Sequence, residues 1–187
     1  MKNELLDKAW AAHGGLDRWN SFDKVHATIV TGGQLFDMKQ TPQDSTPREM
    51  TVATKYEWAS VTPFGSADQH TDFTPNRIAI ERSDGTVVSS RLHPAEHAEG
   101  KSVDAAWDAL DRAYFNGYAL WTYLTTPFLF AIRQRLRWMH DAKLSGPERD
   151  KVGSNDNRYK EQQHSRCFHS CRSMRVIRIW KRISRFG

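Results

Sequence analysis

Apolar positions recur at helical spacing at the start of the chain, where Leu5, Leu6, Ala9, Trp10 and His13 share one face. Gly14-Gly15 supplies a stop that tolerates positive φ, and Leu16–Trp19 reads as a short turn. The period then switches to two. Between Phe22 and Lys39, Val25, Ala27 and Ile29 alternate with polar neighbours, as in a half-buried strand, and Gly32-Gly33 interrupts as a bulge or tight bend. Thr41–Arg48, with Pro42 and Pro47, reads as a loop. Met50–Val61 reads as a second strand with Val52, Thr54, Tyr56 and Trp58 on one face.

Phe64–Asp72 is a weaker segment, closed by Pro75. Arg77–Arg82 and Thr86–Leu92 are two strands joined through Ser83-Asp84-Gly85, where Asp-Gly is a strong hairpin signal. No long crossover helix separates the strands, so the sheet is expected to be an antiparallel meander. Ser102 is expected to cap a helix carrying Asp104, Asp108 and Asp111 in its early turns, with Asp108 and Arg112 paired at i, i+4. Trp107, Tyr114 and Trp121 are spaced by sevens beside Leu110, Gly117 and Leu124, which makes an aromatic ridge ending at Pro127. The fold class is therefore α+β: an antiparallel sheet with an N-terminal helix and a long aromatic helix.

Charge divides the chain of 187 residues into two parts. Residues 1–130 hold 12 Lys+Arg and 17 Asp+Glu (12 − 17 = −5), whereas residues 131–187 hold 15 and 5 (15 − 5 = +10). Residues 140–173 show no sustained period, and the last apolar patch (Val176, Ile177, Ile179, Trp180 and Ile183) lies among arginines. The expected organisation is one patterned domain over 1–131 and a basic, irregular, poorly ordered tail over 132–187. Such a tail attracts nucleic acid or anionic membrane surfaces through nonspecific charge, which gives a second functional reading. The twenty uncharged residues from Ala113 to Ile132 have the length of a membrane span. Asn116, Gly117, Thr122, Thr125, Thr126 and Pro127 dilute them, so a helix packed on protein is expected. The N-terminal residues contain no apolar run of the kind a secretory signal needs, and a cytoplasmic location is expected.

Three blocks carry a resemblance. They are Ala12-His13-Gly14-Gly15-Leu16-Asp17-Arg18-Trp19, the stretch Phe73–Glu81 followed by Asp84-Gly85, and the aromatic stretch Ala113–Phe128. As a set they resemble a bacterial family related in architecture to the periplasmic lipoprotein carriers of the LolA/LppX type. The resemblance covers about residues 9–131. It implies a strongly curved sheet, an incomplete half-barrel, with helices on its concave face, and no established reaction. It also implies further strands after the aromatic helix, where this chain instead runs into Arg- and Ser-rich sequence. A reading frame that slipped near residue 131 would produce this pattern. The truncated product would then lack function and expose a strand edge and an apolar helix, both aggregation hazards.

Candidate chemistry is sparse. His93-Pro94-Ala95-Glu96-His97 has the H-x-x-E-H form of inverted zinc peptidases, in which both histidines bind one metal and the glutamate acts as base; this is a third reading, a zinc-dependent hydrolase. Here it falls in a strand-to-helix loop, with no distant third ligand identified. His164, Cys167, His169 and Cys171 are potential soft-metal ligands within eight residues, but zinc modules usually carry such ligands on separate elements. There is no G-x-S-x-G and no phosphate-cradling glycine loop, so no catalytic residue, metal or cofactor is assigned. The aromatic ridge remains. Trp107, Tyr114, Tyr118 and Trp121, facing Tyr56 or Trp58, would line an apolar cavity; core packing also accounts for such a ridge. The resemblance favours the cavity, and the expected function is non-enzymatic binding of a hydrophobic small molecule or lipid.

Overall fold

The computed structural model of the chain describes residues 4–132 and 180–182. Its elements in order are α1 (Glu4–Ala12), α2 (Leu16–Asn20), β1 (Lys24–Thr31), α3 (Gln34–Met38), β2 (Asp44–Ala53), β3 (Ala59–Thr62), β4 (Gln69–Thr74), β5 (Arg77–Arg82), β6 (Val87–Leu92), α4 (Pro94–Glu99), α5 (Ala109–Thr125) and β7 (Trp180–Arg182). Strands β1 to β6 are neighbours in chain order and pair antiparallel throughout, and β7 pairs antiparallel beyond β1. The class is α+β, with a curved sheet that does not close into a barrel.

Period-two patterning sets the covered face. Val25, Ala27 and Ile29 of β1 stand opposite Val52, Met50 and Arg48 of β2. Val61, Phe73, Ile78 and Ile80 continue the same buried face across β3, β4 and β5. Helix α5 lies on it through Ala113, Gly117, Leu120, Trp121 and Leu124, which recur at helical spacing. A Cβ on Gly117 would stand 2.7 Å from Phe73 Cβ and 2.8 Å from its Cδ2, so a glycine lets the helix rest against β4. The Trp121 indole donates to the carbonyls of Ala53 (3.1 Å) and Tyr56 (3.2 Å), tying the helix to the β2–β3 connection. Burying a side chain of that size contributes on the order of 3 kcal/mol.

Several sequence expectations are corrected. The second strand does not run from Met50 to Val61. It ends at Ala53, whose N–H bonds Trp58 O at 3.0 Å, while Thr54 donates from N–H and hydroxyl to Asp23 O and Phe22 O. The first strand stops at Thr31. The Gly32-Gly33 bend, with Gly33 at φ 113°, leads into α3 rather than into more strand. Part of the expected Thr41–Arg48 loop is strand. Because β3 pairs with β2 only from Glu49 onward, Pro47 deprives the ladder of no hydrogen bond there. The helix caps on Asp108, not Ser102. Asp108 accepts from the Asp111 N–H (2.8 Å) and Asp111 accepts from the Asp108 N–H (2.9 Å), a reciprocal box that satisfies two end donors. The Leu16–Trp19 turn is the short helix α2. At β6, the edge of the described sheet, Val87, Val88 and Leu92 are exposed.

Candidate functional site

The six aromatic residues expected to line one cavity separate into four locations. Trp121 is buried in the main core. Tyr56 is exposed in the β2–β3 connection and offers α5 only its carbonyl. Trp58 lies on the other face of the sheet: its indole donates to Asp72 at 2.8 Å, and Lys24 sits 4.8 Å from its ring centroid. Asp72 alternates with the buried Thr71 and Phe73, and Lys24 precedes the buried Val25, which fixes that face as the one opposite α5. The alternation read through residues 50–58 therefore misassigned these two side chains once the strand turned.

Trp107, Tyr114 and Tyr118 do come together. With Phe36 and Phe115 they form a chain of ring contacts at centroid distances from 4.9 Å (Trp107–Phe115) to 6.4 Å (Phe36–Trp107). Trp107 reaches it from the extended segment before α5, where its N–H bonds Lys39 O at 2.9 Å and Lys39 Nζ lies 5.5 Å from the ring centroid. Phe36, Phe115 and Ala119, edged by Leu35, Trp107 and Tyr118, make a second apolar cluster that adjoins the main core through Tyr118. Beside it lies a notch of about 20 Å³ between α3 and α5. Its lining includes Phe36, Phe115, Leu120 and the half-exposed Tyr123, with Thr31 and Asn116 as its buried polar residues.

Behind Thr31 and Asn116 is a polar cluster that sequence reading missed. Arg48 and Arg112 are both buried, at 6% and 7% exposure, and share one carboxylate. Asp44 is 2.9 Å from Arg48 Nη2 and 3.2 Å from Arg112 Nη1. Arg48 also donates to Thr31 Oγ1, which bonds Asp44 at 3.3 Å, and Arg112 donates to Pro42 O at 3.3 Å. The Arg112 guanidinium also stacks 4.6 Å from the Phe64 ring centroid. The expected Asp108–Arg112 pair is thus replaced by Asp44–Arg112, while Asp108 pairs with Arg91 at 2.6 Å. Four donor atoms in this region are buried and unpartnered: Arg48 Nε and Nη1, Arg112 Nε and Asn116 Nδ2. Burial pushes the Arg48 guanidinium below its ordinary pKa; Asp44 opposes this and Arg112 adds to it. Arginine stays protonated even so, which leaves two buried cations against one anion among the described residues. An uncompensated buried charge of this kind costs on the order of several kcal/mol.

The H-x-x-E-H residues are not in a loop but around α4. His93 is its N-cap, at φ 48°, and Glu96 and His97 are within the helix. The potential metal-ligating side chains that converge among the described residues are His97, Asp108 and Asp111, with ligand atoms within 4.8 Å of one another. His93 and Glu96 are not part of that group. Its carboxylates already carry Arg91 and Lys101 as ion-pair partners. His164, Cys167, His169, Cys171 and the arginine-rich patch between residues 175 and 179 lie outside the described residues. Among the described residues no helix is long and apolar enough to cross a membrane. No family model, curated protein or solved structure matches the chain.

Proposed function

We infer that this chain binds a hydrophobic or lipid-like ligand without catalysing a reaction on it, and that the ligand lies along Phe36, Phe115, Trp107 and Tyr118. The observation that carries this reading is the notch beside a second aromatic cluster, Phe36 and Phe115 edged by Trp107 and by Tyr118, which also packs on the main core. The cluster is roofed by a five-residue helix and the extended segment before α5. The notch of about 20 Å³ takes a water-sized group, so an alkyl chain enters when α3 swings outward. Gly33, at φ 113°, is the hinge for that movement, because it adopts a conformation other residues resist. The resemblance to lipoprotein carriers over residues 9–131 favours the same ligand class.

Organic extraction of the purified full chain followed by mass spectrometry tests the reading. An aliphatic compound near one equivalent per chain is the expected result. A chain that emerges free of any extractable aliphatic compound counts against it.

A further inference from the structure

We propose that the buried polar end of the notch between α3 and α5 is a monoanion site, built to receive a halide or the terminal carboxylate of an aliphatic ligand from Arg48, Arg112 and Asn116. The apolar part of this proposal rests on the hydrophobic-ligand reading above; the anionic part stands on separate observations.

The first is charge. Arg48 and Arg112 are more than nine-tenths buried, and among the described residues Asp44 is the carboxylate paired with both, which leaves two cations against one anion there. The second is the kind of group left over. All four unpartnered polar atoms of Arg48, Arg112 and Asn116 are N–H donors, so what completes them is an acceptor. The third is placement. Asn116, at 1% exposure, lines the notch directly, and Arg112 stands one helical turn before it on α5. Arg48 reaches the same wall through Thr31 Oγ1. The notch has apolar walls and is edged by the half-exposed Tyr123; Thr31 and Asn116 line it, whereas the two guanidiniums do not, Arg48 being bonded to Thr31. An apolar notch backed by buried cationic donors suits an amphiphile entering head first. Its charge-assisted hydrogen bonds are strongest where water is excluded.

The two sources of a monoanion are separated by calorimetric titration of the full chain with octanoate, with 1-octanol, and with sodium chloride against sodium gluconate at constant ionic strength. Octanoate is expected to bind at least about tenfold tighter than 1-octanol, with chloride weakening octanoate competitively. Asn116→Leu keeps the branched side-chain shape and removes an unpartnered donor. It should shrink the ratio of octanoate to 1-octanol affinity severalfold, and Arg48→Met should abolish the preference. If Arg48→Met fails to fold, the Asn116→Leu comparison still decides. Equal binding of octanoate and 1-octanol overturns the anion site and leaves the hydrophobic reading standing. Saturable chloride binding without either aliphatic compound supports the anion site and overturns the hydrophobic reading. Absence of binding by all three probes overturns both.

Discussion

Replacing Gly117 by alanine adds one methyl group where α5 meets β4. In an open helix position the change would stabilise by about 1 kcal/mol, because alanine is the better helix former. Here the new Cβ would sit 2.7 Å from Phe73 Cβ and 2.8 Å from Cδ2, and closer still to Cγ. Phe73 Cβ is fixed by the backbone, so a rotamer change that moves the ring does not clear it. Carbon atoms pack at about 3.5–4.0 Å, and α5 must therefore retreat from the sheet by about 1 Å. The retreat loosens Ala113, Leu120, Trp121 and Leu124 together, all of which are buried against the same strands. Overpacking of this kind reaches about 3 kcal/mol; less the propensity gain, the net loss is about 2 kcal/mol. In guanidinium chloride that lowers the unfolding midpoint by about half a molar. Gly100→Ala is the control: Gly100 is at φ −75°, with no atom closer than 3.9 Å to an added Cβ, and the change should be neutral or slightly stabilising. A Gly117→Ala midpoint equal to or above that of the parent chain, with the control behaving as expected, would refute the close seating of α5 on β4.

Two further outcomes follow from the same helix. Trp121→Phe keeps most of the buried ring but removes the donor to Ala53 O and Tyr56 O, and should cost about 1–3 kcal/mol in the same denaturation assay. Burial opposes ionisation of Asp108, but hydrogen bonds from Arg91 and the Asp111 amide outweigh it and hold the carboxyl at about 2, below the ordinary 3.8. Its contribution is therefore complete above about pH 4 and is lost as pH falls through about 2. After allowance for solvent screening of a half-exposed group it is worth about 1 kcal/mol. Asp108→Ala should lower stability by about that much at pH 7, and paired denaturation curves at pH 7 and pH 3 should show the difference shrinking in acid.

The local rules that succeeded in the sequence are those whose cause is local. Gly14-Gly15 ends α1 with φ values of 97° and 85°, and Asp84-Gly85 turns β5 into β6 with Gly85 at φ 85°. The apolar seam of α5 at Gly117, Trp121 and Leu124 was legible from spacing alone. Tyr56 and Trp58 were placed on the wrong face because alternation carries no mark of where a strand stops. The turn at 54–58 is set by Thr54 bonding back to Phe22 and Asp23, thirty residues earlier. Arg48 sits between Pro47 and Glu49 and has the look of a solvated loop residue. It becomes a buried cation only when β2 pairs with β1 and α5 brings Arg112 onto Asp44. The one available signal was Arg112 and Asn116, two polar residues placed one turn apart among the apolar residues of the helix.

The account depends on the aromatic cluster beside α3 accepting an apolar guest, and equilibrium dialysis of labelled 1-octanol against the full chain measures this directly. Saturable uptake of one equivalent is expected. It should be reduced in Ala119→Trp, which fills the notch from α5, and weakened in Tyr123→Ala, which removes its outer wall. Uptake that rises without saturation, or that is the same in the parent chain and both variants, would contradict it.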